Sequence, residues 1–277
     1  MTVQANGLRF HVEDVGRGAP VVLLHGFPDT SRMWRHQVAA LAAAGHRAIA
    51  PDLRGRGRSQ RPPAVADYAL PAIVRDVTGI MDALGVERAH VVGHDWGAAV
   101  AWLTAALAPD RVDRLVAISV GCPGAAGPPD LEALQKGWYR LLFALEGVAE
   151  DLFTRDEWYL MRVLLASHPE LDEALRDLSE PGALTAALNW YRANLPIDRL
   201  VASRSARPAR PALPPVQAST LGIWSTGDAY LTEPAMTRSA ECVTGGWRYE
   251  RVEDAGHWIA LEQPERLNAL LLEFLAG

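Results

Sequence analysis

The sequence predicts an α/β fold: a mostly parallel central sheet flanked by helices and interrupted late by a helical insert. Three observations carry this. Short apolar runs at residues 20–24, 47–50, 89–92 and 112–119 alternate with helix-patterned stretches, as strands buried on both faces by crossover helices do. Between the breaker-rich segments 121–129 and 203–215, helical patterns occur without obvious strands. Apolar strand runs then return at 220–224 and 247–252.

Taken in order, residues 8–14 alternate apolar and polar, which predicts a half-exposed antiparallel edge strand. The run 20–24 ends in His25-Gly26-Phe27-Pro28, ahead of a helical stretch over 31–44. The strand at 47–50 leads into Pro51-Asp-Leu-Arg-Gly-Arg-Gly-Arg-Ser59, where glycine spacing and the acidic whole predict a solvated loop rather than a nucleic-acid patch. Pro71 suits the first turn of a helix that stops at Gly85. The strand at 89–92 then meets Gly93-His94-Asp95-Trp96-Gly97, with a helix reaching about residue 109 and a strand over 112–119. Within the insert, helical patterns cover 131–145, 155–167 and 183–195, and a last helix covers 264–275. The division this predicts is a core of residues 1–123 and 216–277 and a helical cap of residues 124–215.

At 277 residues the chain can bury a large core without added staples. A formal charge of -6 leaves no broad basic surface, so nucleic acid is not an expected partner. Cys122 and Cys242 are too few for a disulfide framework and sit in no redox or zinc motif, which favours a reducing compartment. The amino terminus lacks a basic region followed by an apolar core, and no apolar run approaches a bilayer's thickness. The expectation is a cytoplasmic monomer or homodimer that acts on a small molecule, with no membrane partner.

The segment around Asp95 reads strand, sharp turn, helix. Glycines at minus two and plus two leave room where a side chain would collide as the backbone reverses, the geometry of a nucleophile elbow with aspartate in the central position. A glycine-softened loop whose Asp95 caps the following helix would give the same local pattern. Two further residues weigh against that reading. Asp228 follows the strand run ending at Trp224, and His257 follows the one ending near Val252, so the order is nucleophile, acid, histidine, as expected of the α/β-hydrolase fold. No acidic residue occurs from Ser119 through Gly127, which leaves Asp228 as the acid.

His25-Gly26-Phe27-Pro28, the Gly93 to Gly97 elbow, Asp228 and Gly256-His257-Trp258 together resemble the epoxide hydrolase branch of the α/β-hydrolase superfamily, over nearly the whole chain. The resemblance implies that Asp95 is the nucleophile, that His257 activates water and that Asp228 orients the histidine. It also implies an oxyanion hole from the backbone N–H groups of Phe27 and Trp96, and two lid tyrosines that donate to the epoxide oxygen. Asn189-Trp190-Tyr191-Arg192 matches the second tyrosine motif. Trp138-Tyr139-Arg140-Leu141-Leu142-Phe143 resembles the first, with Ala144 where glutamine is frequent and Tyr159 as competitor. His25 and His94, which could gather with Asp95 and His257 around a metal, have structural roles in the resembling family, so no metal or cofactor is expected.

Chemistry narrows the reaction independently. An elbow carboxylate can displace a leaving group from sp³ carbon and form an alkyl ester, which water then cleaves. An alkoxide leaving group needs a proton donor such as a phenol, whereas a halide needs only N–H donors. Haloalkane dehalogenases resemble this chain at Trp96, but Phe27 stands where some of them carry an asparagine, and Tyr139 and Tyr191 favour the epoxide. The helix after Asp95 lacks the arginines with which fluoroacetate dehalogenases anchor a carboxylate, so an uncharged substrate is expected. Apolar residues Trp138, Phe143, Pro28 and Trp258 are the expected substrate contacts. The reading is an epoxide hydrolase; the alternatives are a haloalkane dehalogenase and a non-catalytic ligand-binding relative.

Overall fold

The computed structural model describes residues 1–123, 125, 130–195 and 213–277. Its eight strands are β1 (Thr2–Ala5), β2 (Leu8–Gly16), β3 (Ala19–Leu24), β4 (His46–Pro51), β5 (Ala89–His94), β6 (Val112–Ile118), β7 (Ser219–Gly227) and β8 (Trp247–Gly256). They form one sheet in the order β1-β2-β4-β3-β5-β6-β7-β8. β2 runs antiparallel to both β1 and β4, and every other pairing is parallel. The short β1 covers β2, so the expected edge strand is second from the edge, and Phe10 and Val12 are fully buried.

Alternation along the strands divides the core in two. Val22, Leu24, Val91 and Leu115 face the helices α2 (Leu70–Ala83) and α3 (Trp96–Leu107), while Val21, Leu23, Val92 and Val116 share a cluster with α1 (Arg35–Ala43) and the last helix, Pro264–Ala276. A sheet covered on both faces must be apolar on both faces, which is why its strands read as continuous runs. Every residue of β5 is buried, so the turn that follows it stands on a strand enclosed by the core.

Between β6 and β7 lie α4 (Leu131–Lys136), α5 (Tyr139–Phe143), α6 (Val148–Leu164), α7 (Leu171–Ser179) and α8 (Ala183–Asn194). The stretch expected as one helix over 131–145 is split at Gly137 and Trp138. α6 starts earlier than its pattern suggested and leaves helical backbone at residues 155–158. α7 was not expected; it buries Ala174, Leu175 and Leu178 on one face. Most of both expected hinges falls outside the described residues. Beyond β7 come α9 (Glu233–Thr237), α10 (Ile259–Glu262) and α11 (Pro264–Ala276). Among the described residues, no helix is long and apolar enough to cross a membrane.

Two expectations are corrected. Cys122 and Cys242, 120 residues apart, pair as a disulfide that joins the exit from β6 to the turn before β8. Gly121 packs so closely on the Ala235 carbonyl that a side chain there would clash, which brings the two segments together. Cysteine content therefore gives no argument for a reducing compartment. The loop after β4 is solvated only in part: Arg58 is exposed, but the other two arginines are not. Arg54 and Arg56 are both 5% exposed. Arg54 forms a two-pronged ion pair with Asp76 of α2, both contacts 2.7 Å, and Asn6 donates to the same carboxylate at 2.8 Å. The Arg54 carbonyl accepts from the Trp190 indole at 3.0 Å, so the loop is also a seat for the insert. Removing one partner of such a pair strands a buried charge. Asp76→Ala should lower unfolding free energy by about 3–5 kcal/mol, read from urea denaturation.

Candidate active site

The backbone at Asp95 has φ 53° and ψ −121°, a conformation that side chains other than glycine rarely adopt. Its neighbours make this possible. A Cβ on Gly93 would lie 2.3 Å from the Gly97 carbonyl oxygen, and one on Gly97 would lie 2.0 Å from the Leu24 carbonyl oxygen. Gly26 is equally constrained, because a Cβ there would fall 2.4 Å from the Asp95 carboxylate. β3 and β5 are paired neighbours, so the loop after β3 passes directly over the turn after β5. The Phe27 N–H donates to Asp95 Oδ1 at 2.8 Å. Trp96 opens α3, where a helix has no internal acceptor for its N–H.

Asp228 and His257 arrive from the carboxyl ends of the parallel strands β7 and β8. His257 Nδ1–H donates to Asp228 Oδ2 at 2.9 Å, and His257 Nε2 lies 4.0 Å from Asp95 Oδ2. Asp228 Oδ1 accepts the N–H groups of Tyr230 and Leu231 at 2.9 and 3.0 Å. Among the described residues nothing donates to Asp95 Oδ2, so the oxygen nearer the imidazole is the unsatisfied one.

Burial pushes the Asp228 carboxyl up, and His257 with the two N–H donors more than reverses it, leaving it below the usual carboxylate range. The imidazole of His257 is pushed down by burial and pulled further up by Asp228 and then Asp95, so it ends above its ordinary value. His25 and His94 lack such compensation, and burial takes each down to about 4. Both are hydrogen-bonded within the fold. His25 Nδ1–H donates to the Gly26 carbonyl and Nε2 accepts the Leu53 N–H, while His94 Nε2–H donates to the His257 carbonyl. They hold the loops on which Phe27 and His257 stand.

Above Asp95 lies a cavity of about 270 Å³, lined among the described residues by Phe27, Asp95, Tyr139, Leu164, Leu165, Tyr191, Tyr230, His257 and Trp258. Tyr139 and Tyr191 stand in it with ring centroids 6.0 Å apart, Tyr139 on α5 and Tyr191 on α8. Burial raises both phenols, Tyr191 the further; the nearby Arg140 guanidinium opposes this at Tyr139 without overcoming it. Tyr159 is 65% exposed and takes no part in the cavity.

The expected substrate contacts divide. Trp258 lines the cavity. Trp138 does not, being 43% exposed, because it sits at the break between α4 and α5 and turns away from the core. Phe143 is fully buried but lies behind the wall, edge-on to Phe27, Tyr139, Phe153 and Tyr191. Pro28 is buried after a cis peptide bond and is not a lining residue. The sequence reading missed Leu164, Leu165 and Tyr230. Tyr230 had one usable signal, its place two residues after the acid; the two leucines look like any apolar helix end.

It also missed a buried pair beside the site. Asp29 accepts from the Trp258 indole at 2.9 Å and from His168 Nε2 at 3.2 Å, and the Glu170 N–H on His168 Nδ1 fixes that tautomer. Burial pushes Asp29 up and His168 more than offsets it.

The model that describes the alpha/beta hydrolase fold matches residues 19–264, and the chain belongs to that family. Epoxide hydrolase A of Mycobacterium tuberculosis is 34% identical to it over 318 residues, covering 99% of this chain and 96% of that protein. A solved structure described among novel epoxide hydrolases in metagenomes from hot environments superposes with a TM-score of 0.85 at 31% identity, covering 100% of this chain and 98% of the other. Epoxide Hydrolase A from Mycobacterium thermoresistibile gives 0.81 at 29%, with coverage of 100% and 98%. Within the α/β hydrolases, the chain is a member of the epoxide hydrolase family.

NMR titration of the imidazoles should place His257 above the ordinary 6.5 and leave His25 and His94 neutral down to about pH 4. Asp228→Asn removes the charge that raises His257 but keeps its burial, so that titration should move to lower pH.

Proposed function

We propose that the protein converts an uncharged epoxide to a vicinal diol through an alkyl ester on Asp95. The observation that carries this is one cavity in which a carboxylate, an imidazole and two phenols of the insert converge. Residues 124–215 act as the cap that brings the phenols to the core. Asp95 Oδ2 attacks an epoxide carbon; the carbon–oxygen bond breaks, and the alkoxide takes a proton from Tyr139 or Tyr191. Desolvated phenols remain protonated at neutral pH, and an alkoxide is basic enough to take that proton.

The bond to Oδ2 leaves Oδ1 as the ester carbonyl oxygen, already held by the Phe27 N–H. His257 takes a proton from water, which adds to the ester carbon. The charge that develops on Oδ1 is stabilised by the N–H groups of Phe27 and Trp96. Collapse releases the second alcohol, which takes the proton from the imidazolium. The proton left on the regenerated carboxyl returns to the tyrosinate through solvent, so one water and one epoxide give one diol. Asp228 holds the imidazole in the tautomer with Nε2 free and stabilises its charge. The largely apolar lining supports an apolar substrate.

Both half-reactions can be read separately. His257→Gln should accumulate an Asp95 ester visible by intact mass. Tyr139→Phe and Tyr191→Phe combined should slow ester formation by about 10²-fold or more, within the range of general-acid contributions, and each alone should slow it less. Asp95→Ala should abolish diol formation. Halide release from bromo- or chloroalkanes with no diol from any epoxide would sink the proposal.

A further inference from the structure

Tyr230 is a third phenol in the cavity wall, and the reaction above gives it no part. It comes from the core loop after β7, and its ring stands edge-on to His257 at 5.0 Å, to Trp258 at 5.4 Å and to Tyr139 at 6.1 Å between centroids. Its hydroxyl reaches the insert and donates to the Leu164 carbonyl at 2.8 Å, with Ser167 Oγ 3.4 Å away. Leu164 is the last residue of α6, and with Leu165 it forms wall opposite the core. The phenol proton is committed to that carbonyl, and burial holds the group neutral by pushing it up to about 12. Tyr139 and Tyr191 carry no such tether to a backbone carbonyl among the described residues.

The empty space of the cavity is about 270 Å³, part of it open to solvent. One aromatic ring is therefore a large share of the space available, and a wall that cannot retreat fixes what enters.

We propose that Tyr230 sets the size limit of this pocket: its ring closes the cavity beside His257, and its hydroxyl pins the end of α6 so that Leu164 and Leu165 stay in place. This rests on the reaction assigned to Asp95 and names its substrate class, a compact epoxide carrying one small substituent rather than bulky groups on both carbons. Tyr230 touches no reacting atom in this scheme; it is a specificity-determining residue that also supports one side of the His257 ring.

Tyr230→Ala removes ring and tether, and Tyr230→Phe removes the tether alone. The readout is the ratio of kcat/KM for a bulky aryl glycidyl ether to that for 1,2-epoxybutane, each followed by diol formation. The wild type should favour epoxybutane. Tyr230→Ala should raise the ratio about tenfold or more, chiefly through a lower KM for the bulky ether, and Tyr230→Phe about two- to tenfold, as loss of one hydrogen bond allows. Damage to the fold would depress both substrates and leave the ratio where it was. An unchanged ratio in folded Tyr230→Ala, or a wild type that accepts both equally well, would overturn the assignment. Should Tyr230→Ala fail to fold, the same ratio in Tyr230→Phe decides. Asp95→Asn measured alongside separates the two ideas: residual diol formation there counts against the reaction at Asp95, whereas an inactive Asp95→Asn with an unmoved ratio counts against Tyr230 alone.

Discussion

The site depends on a backbone reversal at Asp95 that only close packing can hold. A residue forced into this region costs about 1–3 kcal/mol and stays there only when its surroundings leave no alternative. Here Gly93, Gly97 and Gly26 supply that constraint by bringing three stretches of backbone nearly into contact. β5 lies wholly buried between β3 and β6, so the strain rests on strands that cannot shift to relieve it. The same proximity delivers the Phe27 N–H to Asp95 Oδ1. One arrangement therefore fixes the carboxylate, leaves its other oxygen open and places a backbone N–H donor beside it.

Three carboxylates then crowd one imidazole, and each is made tolerable differently. Asp228 is fully committed, with His257 and two backbone N–H groups as donors. Asp29 is satisfied by Trp258 and His168, the second of which belongs to the insert. Asp95 keeps one oxygen without a donor among the described residues, as its proposed role as nucleophile requires. Burying an ionised group without hydrogen bonds is expensive, so the distribution of donors decides which carboxylate can react.

Much of this was legible in the chain because its cause is local. Parallel strands covered on both faces must be continuously apolar, and a sharp reversal must spare its flanking positions, so β3, β5, the elbow and the order Asp95, Asp228, His257 all leave marks in the sequence. What stayed hidden was pairing over distance. Asp29 and His168 are 139 residues apart, Tyr230 and Leu164 are 66 apart, and neither residue of either pair carries a local sign of the other. The arginine loop misled for a related reason: a net charge of -6 describes the average surface, whereas Arg54 was answered by one carboxylate on α2. Trp138 failed differently. Its composition suggested a pocket wall, but the break between α4 and α5 decides which way it faces.

The insert contributes more than a cover. Phe27, on the core, packs edge-on against Phe143 and Tyr191, and Trp96 packs against Tyr191 and Trp190. Phe27 and Trp96, proposed to form the oxyanion hole, are thus buttressed by the helices that carry the phenols. An aromatic box of this kind raises the phenol pKa by excluding water, which weakens each as an acid. In the proposed reaction the loss is small, because the oxygen that needs the proton is an alkoxide, far more basic than a phenolate. In that proposed reaction the gain falls on the second step: with bulk water excluded, an ester on Asp95 would persist until His257 deprotonates a water beside its carbonyl carbon. Seating the insert therefore also shapes the site, because Asp29, Arg54 and Tyr230 of the core each bond a residue of the insert.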